Sequence, residues 1–130
     1  MPLAAGQTLD LAHVVESQQF DRPLLERVFS LAAAMEEVVR GGGNDELRGR
    51  IMASLFYEPS TRTRLSFESA MLRLGGEVLG TESAGEFSSV AKGETLEDTV
   101  QIIGAYSDLI VLRHFDVGAH PEQPVEQLGA

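Results

Sequence analysis

Five consecutive residues, Ser60-Thr61-Arg62-Thr63-Arg64, bring hydroxyl and guanidinium groups into little more than one turn of chain. Both groups donate hydrogen bonds, and a guanidinium fits an oxyanion in two-point fashion. To the left lies a strand-length apolar run, Ile51-Met52-Ala53-Ser54-Leu55-Phe56. To the right, Leu65, Phe67, Ala70, Met71, Leu72 and Leu74 recur at spacings of up to three before Gly75-Gly76. That pattern predicts a buried strand, a tight loop and a helix with a glycine stop. The polar cluster then falls on the helix's first turn, where free N–H groups point outward and the dipole is positive. Ser and Thr are also ordinary helix caps, and paired arginines could be solvated surface. Cations are mildly unfavourable at a helix N-terminus, however, so two of them there point to an expected anion such as a phosphate.

The elements that must hold this cluster follow from periodicity. A first helix is predicted from Asp21, with Asp21 as cap, Phe20 and Leu25 as a hydrophobic staple and Pro23 in the first turn. Its stripe Leu24, Leu25, Val28, Leu31, Ala32, Met35, Val38 and Val39 reads as core, and Gly41-Gly42-Gly43 stops it. Before it, residues 1–19 read as a short amphipathic piece or a strap. After the central helix, Glu77 to Gly80 is a short strand candidate. Thr81 to Gly93 reads as a long polar loop, either a surface excursion or a binding loop. Thr95 opens a further helix through a capping-box variant, with Leu96, Val100, Ile103 and Tyr106 on its buried face. Leu109 to Leu112 predicts an interior parallel strand. Arg113 and His114 then sit at its C-terminal end, the edge where open α/β sheets bind ligands, although an arginine there is often surface or an ion pair. Alternation of strands and helices makes the fold α/β, a small parallel sheet with helices on both faces.

The charge balance narrows the partners. Twenty acidic residues against ten basic give a net charge of −10 in 130 residues. A nucleic-acid partner is not expected, since neutralising phosphates needs a basic face. An acidic chain that binds a phosphate must concentrate its few cations locally, and Arg62, Arg64, Lys92 and Arg113 are four of the ten. No apolar run reaches membrane-spanning length, and the first ten residues lack the features of a secretory signal. With no cysteine, disulfides and thiolate metal sites are excluded, which fits a cytoplasmic protein. His13, His114 and His120 show no metal-ligand spacing, so no metal site is expected.

Ser60-Thr61-Arg62-Thr63-Arg64 followed by Ser66-Phe67-Glu68 resembles the carbamoyl-phosphate signature of the aspartate and ornithine carbamoyltransferases. The resemblance runs roughly from Phe20 to Gly118. It implies that Ser60, Thr61, Arg62 and Thr63 hold the phosphate, with Thr63 also near the carbonyl oxygen. Arg64 is left structural, because Glu68 stands four residues on and can pair with it. Phe87 to Thr95, Phe-Ser-Ser-Val-Ala-Lys-Gly-Glu-Thr, resembles the loop of the aspartate branch. That likeness implies that Ser88 and Lys92 enter a neighbouring subunit's site, so that a homotrimer shares its active sites between chains. Val111-Leu112-Arg113-His114 likewise implies Arg113 as a ligand of the carbonyl oxygen and phosphate, with His114 left structural.

The function so implied is transfer of a carbamoyl group from carbamoyl phosphate to L-aspartate, early in pyrimidine synthesis, without a cofactor. Arg62, Thr63, Arg113 and Lys92 are the expected catalytic set. Past Gly118 the family pattern is not followed: Pro121 and Pro124 fall within a dozen residues. The expectation is a carbamoyl-phosphate-binding domain, 1–130, incomplete at its C-terminus and without an aspartate-binding domain. Truncated chain, isolated domain and degenerate paralogue stay open. Two alternatives stand beside it: ornithine carbamoyltransferase, and a non-catalytic module that keeps only the anion site.

Overall fold

A computed structural model describes residues 9, 11–82, 93 and 95–114. It falls into two compact units, the chain up to Gly43 and the chain from Asn44 onward.

In the first unit a 3-10 turn at Ser17–Gln19 precedes helix α1 (Arg22–Arg40). Asp21 caps α1 as its sequence requires: the Leu24 N–H donates to Asp21 Oδ1 at 2.9 Å. The apolar stripe departs from expectation. Leu24, Val28, Leu31, Met35 and Val38 are only half-buried, Leu25, Ala32 and Val39 are exposed, and α1 has no buried residue. A helical stripe becomes core only where other elements cover it.

The second unit is built on β1 (Ile51–Phe56). From Met52 to Tyr57 no residue exceeds 6% exposure, the burial of a strand covered on both faces. Strands β2 (Glu77–Glu82) and β3 (Leu109–Arg113) flank it, both parallel to β1, in the order β2-β1-β3. Helix α2 (Thr61–Arg73) connects β1 to β2, and α3 (Leu96–Tyr106) precedes β3. The two crossovers run in opposite directions along the sheet, so right-handed connections put the helices on opposite faces. Side chains agree. Leu55 and Tyr57 pack with Leu96 and Ile103 of α3, while Gly80, in register with Ser54, lies under Glu68 of α2.

One strand expectation changes. β2 does not end at Gly80 but runs on through Thr81 and Glu82, because β1 still offers Leu55 and Phe56 as register partners. For β3, expected as an interior strand, the described residues show pairing with β1 alone, and Leu109 is 47% exposed. The glycine stop of α2 is as expected. Gly75 has φ of +84°, and a Cβ there would stand 2.9 Å from the Asp45 Cα, so both conformation and space demand glycine.

Candidate functional site

In a parallel sheet ligands gather beyond the strands' C-terminal ends, where successive connections leave in opposite directions. Here that switch point lies at the end of β1, between Phe56 and its register partner Arg113. Chain leaving β1 passes Tyr57, Glu58 and Pro59 and enters α2 at Ser60. Proline at the last position before the cap keeps Glu58 extended and fits a sharp entry.

Ser60 is the N-cap residue, yet its side chain caps nothing. Instead Arg113 Nη1 donates to Ser60 Oγ at 2.7 Å. The serine hydroxyl thus accepts from the neighbouring strand and makes no cap bond to the first-turn N–H groups of α2. A helix start offers free N–H groups and a positive dipole end, the chemistry that suits an oxyanion. Thr61, Arg62 and Thr63 are all exposed around it, and Arg62 has no charged partner among the described residues. The structure thus brings Ser60, Thr61, Arg62, Thr63 and Arg113 to one place.

Arg64 points elsewhere. Its Nη1 stands 3.1 Å from Glu68 Oε1, with the two side chains 19% and 15% exposed, the pairing its spacing suggests. His114 stacks obliquely on Tyr57, ring centroids 5.0 Å apart, at the rim of the site. Ser88 and Lys92 lie outside the described residues, as does most of the loop expected from Thr81 to Gly93.

Sequence reading passed over Glu58. Its Oε2 lies 3.4 Å from Arg113 Nε, so a carboxylate already pairs with the guanidinium whose Nη1 donates to Ser60. Its partner stands 55 positions on, so no local spacing signalled the pair. Half-exposed, the pair is worth at most about 1 kcal/mol. An arriving dianion can displace it. An open groove of about 290 Å³ between Leu47, Arg50, Met71, Asp108 and Leu109 lies at the strands' N-terminal ends, the end of the sheet opposite the Ser60–Arg113 crevice. Among the described residues no group of acidic or histidine side chains could hold a metal, and no helix is long and apolar enough to cross a membrane.

Comparison with known proteins agrees with this geometry. The family model for the carbamoyl-P binding domain of aspartate/ornithine carbamoyltransferase matches residues 12–129. That match extends past Gly118, where the sequence pattern alone ended the likeness. Aspartate carbamoyltransferase 2, chloroplastic, of Pisum sativum is 64% identical over 115 residues, covering 88% of this chain and 30% of the relative. The aspartate carbamoyltransferase catalytic subunit of Methanothrix thermoacetophila is 49% identical over 102 residues, 78% of this chain and 33% of the relative. Among solved structures, the catalytic subunit of M. jannaschii aspartate transcarbamoylase superposes with a TM-score of 0.77 at 45% identity, covering 84% of this chain and 36% of that one. Trypanosoma cruzi aspartate transcarbamoylase in complex with carbamoyl phosphate gives 0.71 at 41% identity, over 85% and 32%. The chain therefore spans about a third of the length of the relatives it matches.

Proposed function

This chain belongs to the aspartate/ornithine carbamoyltransferase family, and from that premise we propose that it supplies the carbamoyl-phosphate side of an aspartate carbamoyltransferase. The observation that carries the reading is the Arg113–Ser60 hydrogen bond, which joins the end of β3 to an uncapped α2 start beside Arg62. Identity of 60–64% to plant aspartate carbamoyltransferases supports the aspartate branch over ornithine.

In the proposed reaction the amine of L-aspartate attacks the carbonyl carbon of carbamoyl phosphate. A C–N bond forms, the bond from the carbonyl carbon to the bridging oxygen breaks, and the departing phosphate keeps that oxygen and carries off the proton lost by the amine, leaving as hydrogen phosphate. Carbamoyl phosphate is already activated, so the reading calls for no cofactor. Ser60, Thr61, Arg62 and Thr63 hold the phosphate against the helix end. Thr63 and Arg113 polarise the carbonyl oxygen as it gains charge, a fixed set of donors needing no rearrangement during the step. Ser88 and Lys92 enter from a neighbouring chain of a homotrimer, where Lys92 offsets charge on the leaving phosphate. The domain proposed is 1–130, the donor half; an acceptor-binding domain for aspartate completes the cleft.

The compartment proposed is the cytoplasm, with the chloroplast named for the plant relatives as the competing site. Localisation of a tagged protein separates them.

Titrating the isotopically labelled 130-residue polypeptide with carbamoyl phosphate tests the donor reading. Amide resonances of Ser60 to Thr63 should move on titration while carbamoyl aspartate fails to form. Positioning two reactants is worth about 7–11 kcal/mol, and these residues alone supply one side of it. Unmoved resonances at the α2 start would overturn the reading.

A further inference from the structure

Tyr57 joins the two walls of the crevice. It follows the last residue of β1, and its N–H donates to the Arg113 carbonyl at 2.9 Å, one step past the register pair Phe56–Arg113. Side chains alternate along a strand, so Arg113 falls on the face of Phe56 and His114 on the face of Tyr57. The face of Phe56 is that of Ser54 and Gly80, which α2 covers. The other is the α3 face, where Tyr57, 6% exposed, packs with Leu96 and Ile103.

Arg113 and His114 thus leave the end of β3 in opposite directions. The guanidinium reaches Ser60 Oγ at 2.7 Å and Glu58 Oε2 at 3.4 Å. The imidazole lies on the Tyr57 ring, with centroids 5.0 Å apart and planes tilted by 46°, within the favourable range for two aromatic rings. Holding Arg113 in one direction requires a grip on both sides of it. From the N-terminal side the ladder between β3 and β1 supplies one. From the C-terminal side the carbonyl is bonded to Tyr57, and the next side chain rests on the same residue. These contacts run between β1's exit and β3's end, so they fix one element against the other. A single hydrogen bond tolerates a range of angles, and the chain after it can swing. A ring packed on a core residue removes that freedom, and a long arginine side chain magnifies any swing left at its root.

We infer that His114, seated on the Tyr57 ring, is a positioning residue that aims the Arg113 guanidinium across the crevice at Ser60. The inference rests on the anion-binding reading of that crevice. His114 acts through the backbone it shares with Arg113, and it acts as a flat ring, not as a base or a charge.

The choice of replacement therefore decides the outcome. In calorimetric titrations of the 130-residue chain, His114→Ala should weaken inorganic phosphate binding about threefold or more, the scale of one aromatic pair. His114→Phe keeps the ring contact and should stay within about twofold of the parent. His114→Gln keeps polar groups without a ring and should follow alanine. A spectroscopic signature separates aim from a general loss of stability. In the unliganded protein the Arg113 Nε–H resonance should move in the alanine and glutamine variants and hold its place in the phenylalanine variant. If His114→Ala does not fold, the glutamine and phenylalanine variants decide. Ringless variants that bind phosphate as tightly as the parent would overturn the positioning role and leave the anion site standing. So would an Arg113 resonance they do not move, or glutamine restoring what phenylalanine loses. A parent chain that takes no phosphate would overturn the anion-site reading and this inference with it.

Discussion

Arg113 Nη1 and Ser60 Oγ stand 2.7 Å apart across 53 residues of sequence. One belongs to the last position of β3 and the other to the cap of α2, so the bond closes the crevice at the end of β1. The serine oxygen accepts from Arg113 and makes no cap bond to the first turn of α2.

Arg113→Ala should therefore weaken phosphate binding by about 1.5–3 kcal/mol, the scale of hydrogen bonds to charged groups. Calorimetric titration with inorganic phosphate measures it. An unchanged affinity would place Arg113 outside the site.

Glu58 competes for the same guanidinium, 3.4 Å from Arg113 Nε. Glu58→Gln should tighten phosphate binding, by no more than about fivefold, since a half-exposed pair is worth at most about 1 kcal/mol. The gain should shrink as salt is raised, because screening weakens the pair in the parent. Weaker binding in the variant would mean that the carboxylate orients Arg113 instead of occupying it.

Much of this was legible in the residues. Ile51 to Phe56 is a continuous apolar run and became the doubly covered strand. Asp21 and Thr95 are short polar residues at helix starts, and both cap through the expected bonds. Strand ends were less legible, because partners decide them: Gly80 looked like a stop, yet Phe56 had a place for Glu82. An apolar run says that a strand is covered, not how many neighbours it has, so the single partner of β3 among the described residues was not legible in Leu109 to Leu112. At the site, the cluster's chemistry was plain while the Glu58 contact was not. Ion pairs between Glu58 and a residue 55 positions on leave no local pattern.

The proposed sharing of sites between subunits has its own consequence. In a protein carrying this chain with its acceptor half, Lys92→Ala and Arg62→Ala subunits should each be nearly inactive. Mixed before assembly, they should regain part of the activity, because some interfaces then carry neither lesion. Mixed assemblies no more active than the better parent would assign Lys92 to its own chain or to no site.

The central claim is that the exposed start of α2 is an oxyanion seat with Arg62 as its principal charge. The most direct measurement compares carbamoyl phosphate titrations of the 130-residue chain and its Arg62→Ala variant by calorimetry. Helix content, followed by circular dichroism, should match in the two, since Arg62 is exposed. The account predicts binding by the parent and a loss of about 1.5–3 kcal/mol in the variant. Equal affinities in two equally folded proteins would contradict it.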